Sequence, residues 1–200
     1  VMADMPTPRD TFILIRGAYD KKGEKVTPGT PAVLPPMAKD APANRLGLAR
    51  WLTDPQHPLV ARVTVNRFWQ QYFGTGLVKT AEDFGSQGTP PTHPELLDWL
   101  AADLMEHGWS LKHLHRQIMR SAVWRQSSQA TTEQREIDPD NRYYSRKPLQ
   151  RMDAEVIRDS MLAADGRLDA SLFGPPLAIK EDDTGQVIVD GSQTRRSVYI

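Results

Sequence analysis

Cysteine is absent from the 200-residue chain. Its absence excludes disulfides, thiolate metal sites, a cysteine nucleophile and c-type haem attachment within these residues. Long apolar runs are missing as well. The densest patch, Leu59 to Val65, is broken by Arg62 and Thr64 and falls well short of the ~18 residues of a membrane span. Membrane insertion is therefore not expected, and no secretory leader is visible. Neither charge sign is in excess: 25 Lys and Arg stand against 25 Asp and Glu. No whole-molecule field draws in nucleic acid or an anionic surface. Gly-rich phosphate loops, a Gly-x-Ser-x-Gly elbow and a His-Glu-x-x-His pair are also missing, which removes several common enzyme classes.

What is present is apolar material enough for a core. A chain this long buries roughly 70% of its unfolded surface and needs no staple. The apolar supply includes five Trp, which suit either a plain core or stacking on a ligand, and sixteen Pro point to helices joined by stiff, irregular segments. Charge is blocked locally. Between Thr80 and His107 the charged side chains are Glu82, Asp83, Glu95, Asp98, Asp103 and Glu106; between Gly108 and Gln129 they are Lys112, Arg116, Arg120 and Arg125. Two neighbouring helices of opposite sign would attract each other in this way. A helix-turn-helix reader is the other use of such a basic segment, but the balanced total charge speaks against nucleic acid as a partner.

The pattern predicts a mainly α fold: a helical bundle of about five helices, with short β-strands or a hairpin at the N- and C-terminal ends. Residues 1–43 hold a strand over Thr11–Arg16 and a proline-rich arm packing on the bundle; residues 44–166 form the helical core; residues 167–200 are a β-like segment of the same single domain. Asn44 is a fitting N-cap for a helix over Arg45–Leu52 with Leu46, Ala49 and Leu52 in phase. Leu59–Phe73 follows and stops at Gly74. Thr92-His93-Pro94-Glu95 has the form of a capping box opening a helix that runs to Gly108. Ser110 then caps a helix carrying Leu111, Leu114 and Ile118, and the short connection makes the pair a hairpin. Ser127–Asn141 is polar and reads as loop, and Met152–Ala164 as helix. A C-terminal hairpin is expected from Gln186–Val189, Asp190-Gly191 and Ser197–Ile200. Both ends have the character of positions inside a longer polypeptide.

Several runs are distinctive in order and spacing: Ala61-Arg62-Val63-Thr64-Val65-Asn66-Arg67-Phe68-Trp69, Asp83-Phe84-Gly85-Ser86-Gln87-Gly88, Pro91-Thr92-His93-Pro94-Glu95, Gly108-Trp109-Ser110, Asp138-Pro139-Asp140-Asn141-Arg142 and Glu155-Val156-Ile157-Arg158-Asp159. Together they resemble the planctomycete-specific domain family of unknown function (DUF1553), with Arg16-Gly17-Ala18-Tyr19-Asp20 similar to its leading segment. The resemblance implies a part of a large exported, extracytoplasmic protein, periplasmic or secreted, that often carries a cytochrome-like haem domain. It transfers no catalytic role.

The candidate catalytic residues are His93, at a helix start, and Glu155 with Asp159, one turn apart beside Arg151 and Arg158. Two close carboxylates can split their pKa values for acid/base work, whereas arginine neighbours keep both ionised. The candidate ligand-binding residues are Arg62, Asn66, Arg67, Asp83, Ser86 and Gln87, a set able to grip a sugar, carboxylate or sulfate. Arg62 and Asn66 share a helix face and equally suit holding the Asp83–Gly88 loop. His113 and His115 diverge on a helix, and His57 and His107 lack partners at metal spacing, so no metal site and no cofactor are expected. The leading functional expectation is a binding or scaffolding module whose partners are neighbouring domains of the same protein. An enzyme or binding domain acting on polysaccharides or sulfated glycans is the alternative.

Overall fold

Asn44 lies in extended backbone and turns its side-chain oxygen onto the N–H groups of Leu46 and Gly47, at 3.0 and 3.2 Å. This cap opens the first helix of a computed structural model that describes residues 5, 7, 9–177, 179–188 and 191–199. The described residues form six α-helices and two small antiparallel sheets: β1 (Thr11–Leu14), β2 (Lys22–Val26), α1 (Arg45–Leu52), α2 (Val60–Phe73), α3 (Pro94–Glu106), α4 (Leu111–Arg120), α5 (Thr132–Ile137), α6 (Ala154–Ala164), β3 (Lys180–Glu181) and β4 (Val187–Ile188). The fold is mainly helical, as the periodicity predicts. By internal packing the chain divides into two compact units, Val1–Pro148 and Leu149–Ile200.

In the first unit β1 pairs with β2 across a 3₁₀ turn at Ile15–Gly17. The sequence gives β1 but not β2, whose Lys-Gly-Glu-Lys start hides it. The proline-rich arm packs on α1: Trp51 donates its indole N–H to the Pro35 carbonyl at 2.7 Å. Gly47 is required here, because a Cβ would sit 1.9 Å from the Pro42 carbonyl oxygen. The arm therefore buries the Gly47–Trp51 stripe of α1, and Leu46, Leu48 and Leu52 are exposed instead. This corrects the expected Leu46/Ala49/Leu52 face.

The core lies in α2, α3 and α4, with α2 against α3 and α3 against α4. Val65, Trp69 and Phe73 meet Leu97, Leu100 and Leu104, and Leu114 and Ile118 close the cluster with Leu77, Val78 and Tyr144. Each fully buried aliphatic side chain contributes about 1.5–3 kcal/mol relative to exposure. Gly74, at φ 77°, ends α2. The α3–α4 hairpin turns through Gly108 and Trp109, both left-handed at φ 62° and 61°. A non-glycine residue is costly there, and packing of the Trp109 ring against the core offsets it.

Two starts differ from expectation. His93, not Thr92, is the N-cap of α3 and makes no side-chain cap bond; the Thr92 hydroxyl donates to the Leu77 carbonyl at 3.3 Å. Proline at the first helical position makes a cap there less necessary, since it removes one orphan N–H. A capping box does occur at Thr131–Gln134, opening α5 inside the stretch expected to be loop.

The second unit is built on α6, which buries none of its side chains. Its hairpin is formed by β3 and β4, registered Lys180↔Ile188 and Glu181↔Val187. The expected partner strand at Ser197–Ile200 is instead a 3₁₀ turn over Ser197–Tyr199; Val189, Asp190 and Ile200 lie outside the described residues. Asp182 explains the shift. Its Oδ1 accepts from the Thr184 and Gln186 N–H groups at 2.8 and 2.9 Å, folding the chain back one turn earlier.

Candidate functional site

The polar residues singled out on α2 are structural anchors. Asn66 is fully buried and bonds Val78 twice, accepting its N–H at 2.8 Å and donating to its carbonyl at 3.0 Å. It thereby fixes the chain after α2 as a β-ladder partner would. Gly76 must be glycine for the same reason, since a Cβ would lie 2.6 Å from the Asn66 amide. Arg62 donates to Asp98 of α3 at 2.7 Å and to the Pro58 carbonyl at 2.6 Å, and its guanidinium holds the Asp98 carboxyl below the usual range. Arg67 reaches Glu82 at 3.3 Å on the exposed surface. Asp83 accepts from the Gly85 N–H at 2.7 Å, while Ser86 and Gln87 are exposed at the loop tip. Asn66 thus holds Val78, not the Asp83–Gly88 loop.

His93 sits closer to a cleft. Its Nδ1 meets the Thr92 hydroxyl at 3.0 Å and its ring lies 5.5 Å from that of Tyr144. Thr92 and Tyr144 line a hollow of about 550 Å³ together with Phe73, Lys79, Asn141 and Arg142. One wall is the Asp138–Arg146 turn, organised by the buried Asp138. Its carboxylate accepts from the Arg142 and Tyr143 N–H groups at 2.7 and 2.8 Å, and Arg146 returns to the Asp138 and Pro139 carbonyls at 2.9 and 2.7 Å. Asn141 and Tyr144 are left-handed at φ 53° and 50°. Burial pushes the Tyr144 phenol up.

Beside this cleft is a residue that the sequence reading passed over. Lys147 donates to the Tyr72 carbonyl at 2.7 Å and lies 3.3 Å over the Trp124 ring and 4.7 Å from that of Phe73. Burial lowers its pKa, and the aromatic faces offset part of that cost. Nothing in local spacing signals it, because Tyr72 is 75 positions away. His57 is likewise more than a lone histidine: its Nδ1 accepts from the Leu59 and Val60 N–H groups at 3.2 and 3.3 Å and so caps α2.

In the second unit Glu155 and Asp159 part company. Asp159 accepts from the Ser197 hydroxyl at 2.7 Å and its N–H at 2.9 Å. Those bonds hold its carboxyl below the usual range, with Arg158 at 3.4 Å adding to the effect. Arg158 also donates to the Gln193 and Arg195 carbonyls at 2.6 and 2.9 Å. Glu155 enters only through its backbone carbonyl, 3.4 Å from the Ser197 hydroxyl. Arg158 and Asp159 together form a latch on the 193–197 segment. Next to it, Ile157, Met161 and Leu162 line an open groove of about 640 Å³ with Arg158, Arg167 and Gln193.

A mainly helical domain, in which four of the nine candidate residues (Arg62, Asn66, Asp83 and Asp159) bond backbone groups, is the class that this fold and these sites define. The chain belongs to the family PSD1, protein of unknown function (DUF1553), whose model matches residues 44–200. Among curated proteins and solved structures, none matches it. The match takes in the helices and the second unit, and it leaves β1, β2 and the proline-rich arm outside.

Proposed function

We propose that the chain is a binding or scaffolding module of a larger exported protein, docking a neighbouring domain of the same polypeptide through the apolar face of α6. The observation that carries this reading is the open face itself: Ile157 and Met161 are 43% and 68% exposed on a helix with no buried side chain. An eleven-residue helix is marginal in water unless an apolar face is covered. The pairing of Arg62, Asn66, Arg67 and Asp159 with structural partners supports the same reading, since groups so engaged are not poised for catalysis. Extracytoplasmic location and association with a cytochrome-like domain belong to this proposal and rest on the family resemblance. Ile157→Asp combined with Met161→Asp in the longer protein is expected to expose the segments around α6 to limited proteolysis. An unchanged cleavage pattern would contradict the docking role.

The cleft beside Tyr144 favours a second reading, binding or processing of polysaccharides or sulfated glycans. Lys79 and Arg142 flank an aromatic wall of Phe73 and Tyr144, the combination that suits an anionic sugar. Titration with sulfated and neutral oligosaccharides tests it. Preference for the sulfated ligand, weakened by Lys79→Ala and by added salt, is the expected result, and no binding of either ligand would remove this reading.

A further inference from the structure

Asp103, near the end of α3, is a carboxylate with only 10% of its side chain exposed, and two imidazoles converge on it across the hairpin. His113 of α4 places Nε2 2.8 Å from Oδ2; His107 places Nδ1 3.2 Å from Oδ1 and 2.9 Å from the Asp103 carbonyl oxygen, to which it donates a proton it would give up on binding an ion. The donor atoms of all three residues lie within 4.8 Å of one another. We propose that Asp103, His107 and His113 form a site for a first-row transition-metal dication, with Zn²⁺ the best fit. This goes beyond the docking reading and uses none of its residues.

The donor set decides the class of ion. Magnesium and calcium select oxygen ligands, whereas two imidazoles with one carboxylate suit Zn²⁺ and its neighbours. Donors bound at 2.0–2.2 Å to one tetrahedral ion stand about 3.3–3.5 Å apart, so the 3.2 Å separation to Oδ1 is already close, while the 2.8 Å separation to Oδ2 must open by about half an ångström. The imidazoles now stack, with centroids 3.8 Å apart and planes 10° from parallel. The lone pairs of parallel rings do not meet at one point, so coordination must fan them apart about χ2, a soft torsion. His107 has room to turn, being half exposed at 49%. Zn²⁺ has no d-electron preference and accepts the angles the hairpin imposes. Gln117 has its amide nitrogen 3.4 Å from His113 Nε2; a side-chain flip would offer its oxygen on the same side. The ion would neutralise a nearly buried carboxylate and tie α3 to α4, leaving at least one coordination position open.

Titrating the purified chain with ZnCl₂ by calorimetry, and with CoCl₂ by visible absorption, tests the assignment. One saturable ion per chain is expected, with affinity falling at least about tenfold in His107→Ala, as for loss of a metal ligand or its support. On the wild-type chain, Zn²⁺ is expected to shift the ring resonances of His107 and His113 but not those of His57, His93 and His115; this measurement does not depend on any variant folding. No saturable uptake, a smaller loss in a folded His107→Ala chain, or shifts confined to the other three histidines would overturn the site.

Discussion

The two units are held together by different physics. The first encloses a cluster of fully buried aliphatic and aromatic side chains on α2, α3 and α4. In the second, Ser197 is the one buried residue among those described, and its order rests on bonds from Arg158 and Asp159 to the 193–197 segment. A core of the first kind depends on volume and is insensitive to pH. A latch of the second kind depends on charge state and on a few donor–acceptor distances. The first unit encloses its apolar side chains, while α6 of the second leaves Ile157 and Met161 exposed.

The largest expected effect breaks the comparison at the core. Leu104→Ala should destabilise the first unit by about 3 kcal/mol in chemical denaturation, because Leu104 is wholly buried. Met161→Ala in the second unit of the isolated chain should change stability by no more than about 0.5 kcal/mol. Next in size is Asn66→Ala, expected to cost about 2 kcal/mol by leaving the Val78 N–H and carbonyl buried without partners. In the second unit acid should loosen the latch. Ser197 lowers the Asp159 pKa in the folded state, so the contribution is complete above the unfolded value of about 3.9 and is lost as pH falls through the lower folded value. Amide exchange at Ser197 should accelerate over that acid range, and Asp159→Asn should abolish the pH dependence. Smallest is Arg62→Ala: the pair with Asp98 is surface-exposed, so the cost should stay below about 1 kcal/mol. The Asp98 carboxyl, followed by NMR titration, should return toward its ordinary range.

Most of α1 to α4 was legible because its signals are local. Asn44 and Ser110 cap the helices they precede, Gly74 stops α2, and Leu97, Leu100, Leu104, Leu114 and Ile118 recur at helical spacing. The misses have physical causes. Thr92 has the right spacing for a capping box, but Leu77 takes its hydroxyl, a contact from another part of the chain. The Thr131–Gln134 box was readable and was outweighed by the polarity of its surroundings. The face of α1 followed from the proline arm, which periodicity within the helix does not register. The partners of the candidate-site residues were less legible: Asn66 and Arg62, which equally suit holding the Asp83–Gly88 loop, reach Val78, Asp98 and Pro58. The Asp103–His107–His113 cluster depends on the turn at Gly108 and Trp109, and counting along a single helix pairs His113 only with His115.

Hydrogen exchange on the purified chain, and on the longer protein that would contain it, compares both units in one measurement. Slow exchange in α2, α3 and α4 in both forms is the predicted result, with α6 exchanging fast in the chain alone and becoming protected in the longer protein. Equal protection of α6 in both forms would contradict the account, since no covering partner would then be needed.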